Sequence, residues 1–116
     1  MNVINLTPHA VVLRSPDGTD TAIPSSGICR VQAATKDTGK SVAGLPVQIK
    51  TFWQVEGLPE VQPGTAFIVS GMVLSALKEA GSTRGDVFAP ATSPADGAVR
   101  DDDGRITAVT KLDGLI

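Results

Sequence analysis

A single histidine, in the segment Asn5-Leu6-Thr7-Pro8-His9, is the side chain best suited to proton transfer near neutral pH. As a general base, His9 would need an orienting carboxylate and a nucleophile close by, and the sequence shows no such pair. The more common role is a hydrogen-bonded ring that holds the break between two apolar segments. Contact with a ligand is the functional alternative. Thr7 and His9 are therefore candidate ligand-binding residues, and no catalytic residue is predicted.

A serine and a glycine, Ser70-Gly71, separate a continuous apolar run from a pattern with helical spacing. The pair superficially resembles the strand-to-helix elbow of hydrolases, but the glycine spacing of that motif is missing. A serine here more often caps the helix, because its hydroxyl accepts a hydrogen bond from a free N–H group. The same helix start also favours anions through its N–H groups and dipole. Ser70 and Gly71 are therefore candidate anion-binding residues.

Two arginines are candidate partners for an anion. The planar guanidinium of Arg84 suits phosphate or carboxylate, although pairing with Asp86 or simple solvation is the usual state of a loop arginine. The order strand, helix, strand places Arg84 at the opposite end of the helix from Ser70. Arg84 would therefore join that site only across a subunit interface, whereas Arg100 could reach it within one chain.

Neither a metal site nor a cofactor is predicted. Cys29 is the only cysteine, which excludes an intramolecular disulfide and a multi-cysteine zinc site, and a buried thiol is its usual state. The segment Asp101–Gly104 superficially suggests a calcium loop, but the alternating carboxylates and the distal glutamate of such a loop are missing. An exposed hairpin tip is the more common use of this composition.

Composition argues against nucleic acid and membrane as partners. Aromatic residues make up only 3% of the 116 residues, and the net charge is −2. Stacking platforms and phosphate-neutralising surfaces are therefore not apparent. No apolar segment approaches membrane-spanning length, and no signal peptide is visible, so a cytoplasmic location is expected. A small ligand held by a few arginines stays possible, because local charge decides such binding.

The apolar run Ala66–Val69 predicts a strand buried on both faces. Apolar residues at helical spacing then predict a helix over Gly71–Ala80, with Gly81 as its C-cap. Asp86–Ala89 is a short apolar strand, which the chain order predicts to be parallel to the first strand with a right-handed crossover. The fold class is therefore α+β: a strand-rich single domain of residues 1–116. Its sheet is expected to be a meander or a partly closed barrel, with one main helix after a central buried strand.

Turn residues separate the other predicted strands. Ala10–Ile23 is predicted to be a β-hairpin, and Ile28–Ala33 a third strand that completes a meander. The polar segment Thr35–Gly44 is predicted to be a mobile loop. Leu45–Val55 alternates, and is predicted to be a long strand, or two short ones, that places Trp53 in the core. Val99–Ile106 is predicted to be two strands joined by an Asp-Gly turn, and Arg105–Leu112 is predicted to be the last strand.

Several short motifs together resemble a group of small proteins encoded by actinobacteria and by bacteriophages. The motifs are Asn5-Leu6-Thr7-Pro8-His9, Gly57-Leu58-Pro59, Pro63-Gly64-Thr65, Phe67-Ile68-Val69-Ser70, Val99-Arg100-Asp101 and Asp103-Gly104-Arg105-Ile106. They cover most of the chain in matching order, and the chain departs from the simplest members at residues 35–44 and 91–98. The resemblance implies a compact cytoplasmic or phage-encoded domain, and it transfers no catalytic residues.

Small phage accessory proteins often act by binding, and some sequester nucleotide signals of bacterial immunity. By this analogy of size and origin, we expect a small-ligand-binding protein, a sponge for an anionic nucleotide-type signal. The candidate ligand-binding residues are Thr7, His9, Ser70, Gly71, Arg84 and Arg100. The alternative is a protein-interaction module without a small ligand, and an enzyme is the third reading. A homo-oligomer is expected as well, because the strand Val47–Val55 has only Lys50 to protect its edge.

Overall fold

A computed structural model describes the backbone of all 116 residues and every side chain except those of residues 33–34 and 51–53. The predicted core position of Trp53 falls within the second gap and lies outside the described residues. Strand accounts for 45% of the chain and helix for 11%, which confirms the strand-rich α+β class. In chain order the elements are β1 (Asn2–Asn5), β2 (Val11–Arg14), β3 (Asp20–Ile23), β4 (Arg30–Val42), β5 (Leu45–Glu56), β6 (Thr65–Ile68), α1 (Gly71–Glu79), β7 (Val87–Pro90), a 3₁₀ turn (Pro94–Asp96), β8 (Val99–Arg100), β9 (Ile106–Ala108) and β10 (Leu112–Gly114).

The central sheet has the order β1-β6-β7-β10. β6 is parallel to β1 on one side and to β7 on the other, and β10 closes the sheet antiparallel to β7. Phe67, Ile68 and Val69 are fully buried, as a strand with apolar residues on both faces requires. The predicted parallel pair flanking the helix is therefore confirmed. The parallel strands β1, β6 and β7 all end at the same edge of the sheet.

Helix α1 begins after Ser70 and packs Val73, Leu74 and Leu77 into the core. Its end is closed by Gly81, whose φ of +78° allows the N–H of Ser82 to reach the carbonyl of Leu77 at 3.0 Å. The helix is one residue shorter than the sequence pattern predicted, since Ala80 is the C-cap.

The sheet is neither a meander nor a partly closed barrel, because β4 does not pair with the β2–β3 hairpin. β4 pairs with β5 instead, and the two form a separate antiparallel ribbon. The predicted mobile loop Thr35–Gly44 is wrong, since most of it belongs to β4. The cause is the tight turn Ala43-Gly44, where both residues have positive φ, +52° and +81°. Alanine rarely adopts this conformation, so the sequence carried no usual hairpin signal.

The β4–β5 ribbon makes the molecule elongated. The radius of gyration is 16.9 Å, against about 13 Å for a compact chain of this length. Val31 and Val55, near the base of the ribbon, pack against the core. Residues 35–50 are mostly exposed beyond that base, and we refer to them as the arm.

Candidate functional site

The loop after β1 is organised by the side chain of Asn5, which is fully buried. Its Nδ2 donates to the carbonyls of His9 at 2.8 Å and Ile23 at 2.9 Å. Its Oδ1 accepts from the backbone N–H of Thr7 at 2.9 Å and lies 2.6 Å from the Thr7 hydroxyl. Asn5 therefore fixes the loop against β3, a role that the sequence analysis missed. The available signal was a polar residue inside an apolar strand.

Both the hydroxyl and the backbone carbonyl of Thr7 take part in hydrogen bonds. Its hydroxyl lies within hydrogen-bond distance of Asn5 Oδ1 and of the His9 carbonyl, at 2.6 and 2.9 Å, and one proton serves one of them at a time. Its carbonyl accepts from the hydroxyl of Ser25 at 2.6 Å. The loop is thus fixed by its own hydrogen bonds, and a ligand that bound there would cost it little further conformational entropy.

His9 is exposed, and its ring makes no hydrogen bond with a described residue. The backbone carbonyl, not the ring, holds the strand break, so the expected hydrogen-bonded ring is wrong. The ring faces a groove of about 400 Å³, which we call the histidine groove. Its lining comes from β2, β9 and the residues around the end of β7: His9, Ala10, Val11, Val12, Pro90, Thr92, Ile106, Thr107, Ala108 and Val109.

A second concavity, of about 330 Å³, lies where β1 and β6 end, and we call it the strand-end cleft. Its walls are the loop after β1, the start of α1 and the segment leading into β4. The lining residues are Leu6, Thr7, Pro8, Ile28, Cys29, Arg30, Val31, Ser70, Met72 and Val73. The cleft therefore brings together the predicted residues Thr7 and Ser70 and adds Arg30.

The helix start beside this cleft has spare hydrogen-bond donors. The hydroxyl of Ser70 accepts from the N–H of Val73 at 3.3 Å, which confirms the predicted cap. The N–H groups of Gly71 and Met72 have no partner among the described residues. Such free N–H groups at a helix start favour a negatively charged group.

Arg30 supplies a cation to the same cleft. It is exposed, and its guanidinium has neither a hydrogen bond nor an ion pair with any described residue. Arg30 is not among the site residues predicted from the sequence, where Ile28–Ala33 is predicted only as a strand. Next to it, Cys29 is buried, and burial raises the pKa of its thiol, so the thiol stays protonated near neutral pH.

The other two predicted arginines lie outside the cleft. Arg100 donates to the carbonyls of Gly104 at 3.0 Å and Thr92 at 3.1 Å, and so braces the loop after β7. Arg84 lies before β7, at the other end of α1. Its guanidinium holds both carboxylate oxygens of Asp86 at 2.8 Å, and this hydrogen bonding lowers the pKa of Asp86. The guanidinium of Arg84 is thus already paired with a carboxylate of the same chain.

Metal coordination and membrane crossing find no support in the described part of the chain. No three His, Cys, Asp or Glu side chains there lie close enough to share a metal ion. Among the described residues no helix has the length and apolar character needed to cross a bilayer.

Comparison with known proteins gives no assignment: neither a protein-family model, nor a curated protein, nor a solved structure matches this chain. Functional inference therefore rests on the geometry of the two concavities and the arm.

Proposed function

We propose that this protein binds a small anionic molecule in the strand-end cleft. The observation that carries the proposal is the position of that cleft. It lies beyond the carboxyl ends of the parallel strands β1 and β6, between the loop after β1 and the start of α1. Open α/β sheets commonly bind ligands in the crevice outside the carboxyl ends of their strands.

The chemistry of the lining favours a small anion. Gly71 lies outside the lining of this cleft, but Met72 and Arg30 belong to it, and the free N–H group of Met72 and the guanidinium of Arg30 would supply hydrogen bonds to a phosphate or carboxylate. Leu6, Ile28 and Val73 line the rest of the cleft and suit an apolar part of the ligand. The chain's net charge of −2 disfavours a long polyanion.

Binding without conversion is the better-supported activity. The cleft is lined by two hydroxyls, one guanidinium and a buried thiol, and its lining includes neither a carboxylate nor an imidazole. Proton transfer to a bound ligand would therefore lack an acid–base pair. A protein that retains an anionic nucleotide-type signal fits this lining. The proposed role is that of a sponge, encoded by a phage or an actinobacterium, which sequesters an immune signal in the cytoplasm.

The test is isothermal titration calorimetry of the full chain with inorganic phosphate, pyrophosphate, AMP, cyclic nucleotides and ADP-ribose. We expect at least one phosphorylated compound to bind. The substitution Arg30→Gln should lower the affinity for that compound about 10- to 100-fold, because one charge-assisted hydrogen bond is lost. Arg105→Gln is the matched control, since Arg105 is exposed and lies outside the cleft lining.

Two results would contradict the ligand proposal. One is the absence of any binding heat or thermal shift with all these compounds. The other is equal weakening by Arg30→Gln and Arg105→Gln, which would indicate non-specific attraction. Recovery of a chemically changed ligand would show that the protein is an enzyme and not a sponge.

A protein-interaction module is the second candidate, because the arm exposes apolar side chains. Val42 and Leu45 at its tip are 66% and 69% exposed, respectively. Leu45→Asp should abolish capture of a host partner while leaving the calorimetric response to phosphorylated compounds unchanged. If Arg30→Gln abolishes capture of the host partner and Leu45→Asp does not, the partner binds at the cleft and not at the arm.

A further inference from the structure

The arm carries an apolar stripe that no described residue covers. Leu45, Val47 and Ile49 alternate along β5 and share one face, and Val42 pairs with Leu45 across the turn. Val42, Leu45 and Ile49 are between 53% and 69% exposed. A two-stranded ribbon is only marginally stable alone in water, and a stripe of exposed apolar side chains on it marks a contact surface.

The arm and the rest of the chain carry net charges of opposite sign. The arm contains Lys36, Lys40 and Lys50 against one carboxylate, Asp37, so its net charge is +2. Because the whole chain has a net charge of −2, the remainder carries −4. Two arms would therefore repel each other, whereas an arm and the body of another copy attract each other.

The histidine groove has the matching properties. Its walls include Val11, Val12 and Ala108, with Ile106 38% exposed at the rim. β8 and β9 pair Arg100 with Ile106, so the exposed turn Asp101–Asp103 lies between the strand end at Arg100 and the rim residue Ile106. The turn adds three carboxylates next to an apolar surface. Arg100 and Arg105 flank the turn, which leaves this six-residue segment one net negative charge.

We propose that the arm of one copy docks in the histidine groove of a second copy, and that the exchange is reciprocal. The apolar stripe fills the groove, and Lys36, which pairs with Ile49 on the stripe face, lies toward the acidic turn and body of the partner. A two-fold dimer of this kind uses both arms and both grooves, so neither surface stays exposed. The strand-end cleft shares no lining residue with the histidine groove or the arm, so dimerisation and ligand binding should be separable by mutation.

The first test is sedimentation and light scattering of the full chain over a micromolar concentration series. We expect a dimer that Leu45→Asp and Ile106→Asp each weaken at least about tenfold, because both place a charge in the apolar contact. Val61→Asp is the control, since Val61 is 64% exposed but belongs to neither surface. Raising the salt concentration should weaken the dimer, because opposite net charges contribute to it.

The second test is disulfide trapping in a Cys29→Ala background. Val42→Cys and Thr107→Cys chains, mixed and oxidised, should form a mixed disulfide dimer, whereas Val61→Cys with Thr107→Cys should not. Circular dichroism spectra like that of the parent chain would show that the variants fold. A monomer at every concentration, or a dimer unaffected by Leu45→Asp, overturns the proposal. Trapping of Val42→Cys only with itself also overturns it, in favour of arm–arm pairing.

Discussion

At the scale of single residues, one buried side chain determines the shape of the loop beside the cleft. Asn5 uses both its amide nitrogen and its oxygen on groups of Thr7, His9 and Ile23. The N–H of Thr7 has no other partner among the described residues, and a polar group left unpaired in a partly buried place costs more than the bond itself contributes. A hydrogen-bonding residue in an apolar strand therefore indicates, from the local sequence alone, a contact with a distant segment of the chain.

We expect Asn5→Ala to lower the free energy of unfolding by roughly 3 kcal/mol, because several hydrogen bonds of one buried side chain are lost together. Urea denaturation followed by circular dichroism measures this difference. Asn2→Ala is the matched control in the same strand, since Asn2 is exposed and makes no side-chain hydrogen bond with a described residue. A loss below about 1 kcal/mol, the value of one ordinary hydrogen bond, would refute the organising role of Asn5.

At the scale of elements, the base of the β4–β5 ribbon depends on a close backbone approach at Gly57. Its φ is +81°, and an added Cβ would lie 2.7 Å from the carbonyl oxygen of Ile28. This contact joins the end of β5 to the segment before β4, and so holds the ribbon at the side of the strand-end cleft. Only glycine meets both requirements, the left-handed backbone and the missing Cβ.

Replacing Gly57→Ala should lower the free energy of unfolding by about 2 kcal/mol or more, through backbone strain and the clash together. Gly18→Ala provides the comparison, because Gly18 has a φ of +88° but open space around its Cβ position. Strain alone, about 1 kcal/mol, should appear at Gly18. Thermal and chemical denaturation of both variants measures the difference, and equal effects would show that the clash at Gly57 is relieved without cost.

At the scale of the whole molecule, stability is distributed unevenly between sheet and arm. Phe67, Ile68 and Val87 in the central strands are completely buried, whereas in the described part of the ribbon Val31 and Val55 at its base pack against the core. Local opening is easiest where few apolar side chains are buried. An undocked arm should therefore open independently of the sheet.

Hydrogen exchange of the Leu45→Asp variant, which keeps the arm undocked, tests this expectation. Amides of residues 35–42 should exchange at least about a hundredfold faster than the amides of Phe67 and Val69. In the unaltered chain, docking should slow the arm amides as concentration rises. Equal exchange of arm and sheet in the variant would mean that the two unfold as one unit.

The sequence by itself determined the features that depend on near neighbours. The buried strand Ala66–Val69, the helix with its Ser70 cap and Gly81 end, and the turn at Asp101–Gly104 follow from interactions within a few residues. Apolar spacing, a hydroxyl beside a free N–H and a glycine at positive φ act over this short range. Such features were predictable because their partners lie next to them in the chain.

Only the tertiary structure decided which distant segments meet. Pairing β4 with β5 instead of the β2–β3 hairpin depends on the Ala43-Gly44 turn and on the space beside α1. Arg30 enters the strand-end cleft, and Asn5 reaches Ile23, because the sheet order brings the loop after β1 against other elements. Contacts between residues far apart in sequence depend on strand order and register, which no local pattern encodes.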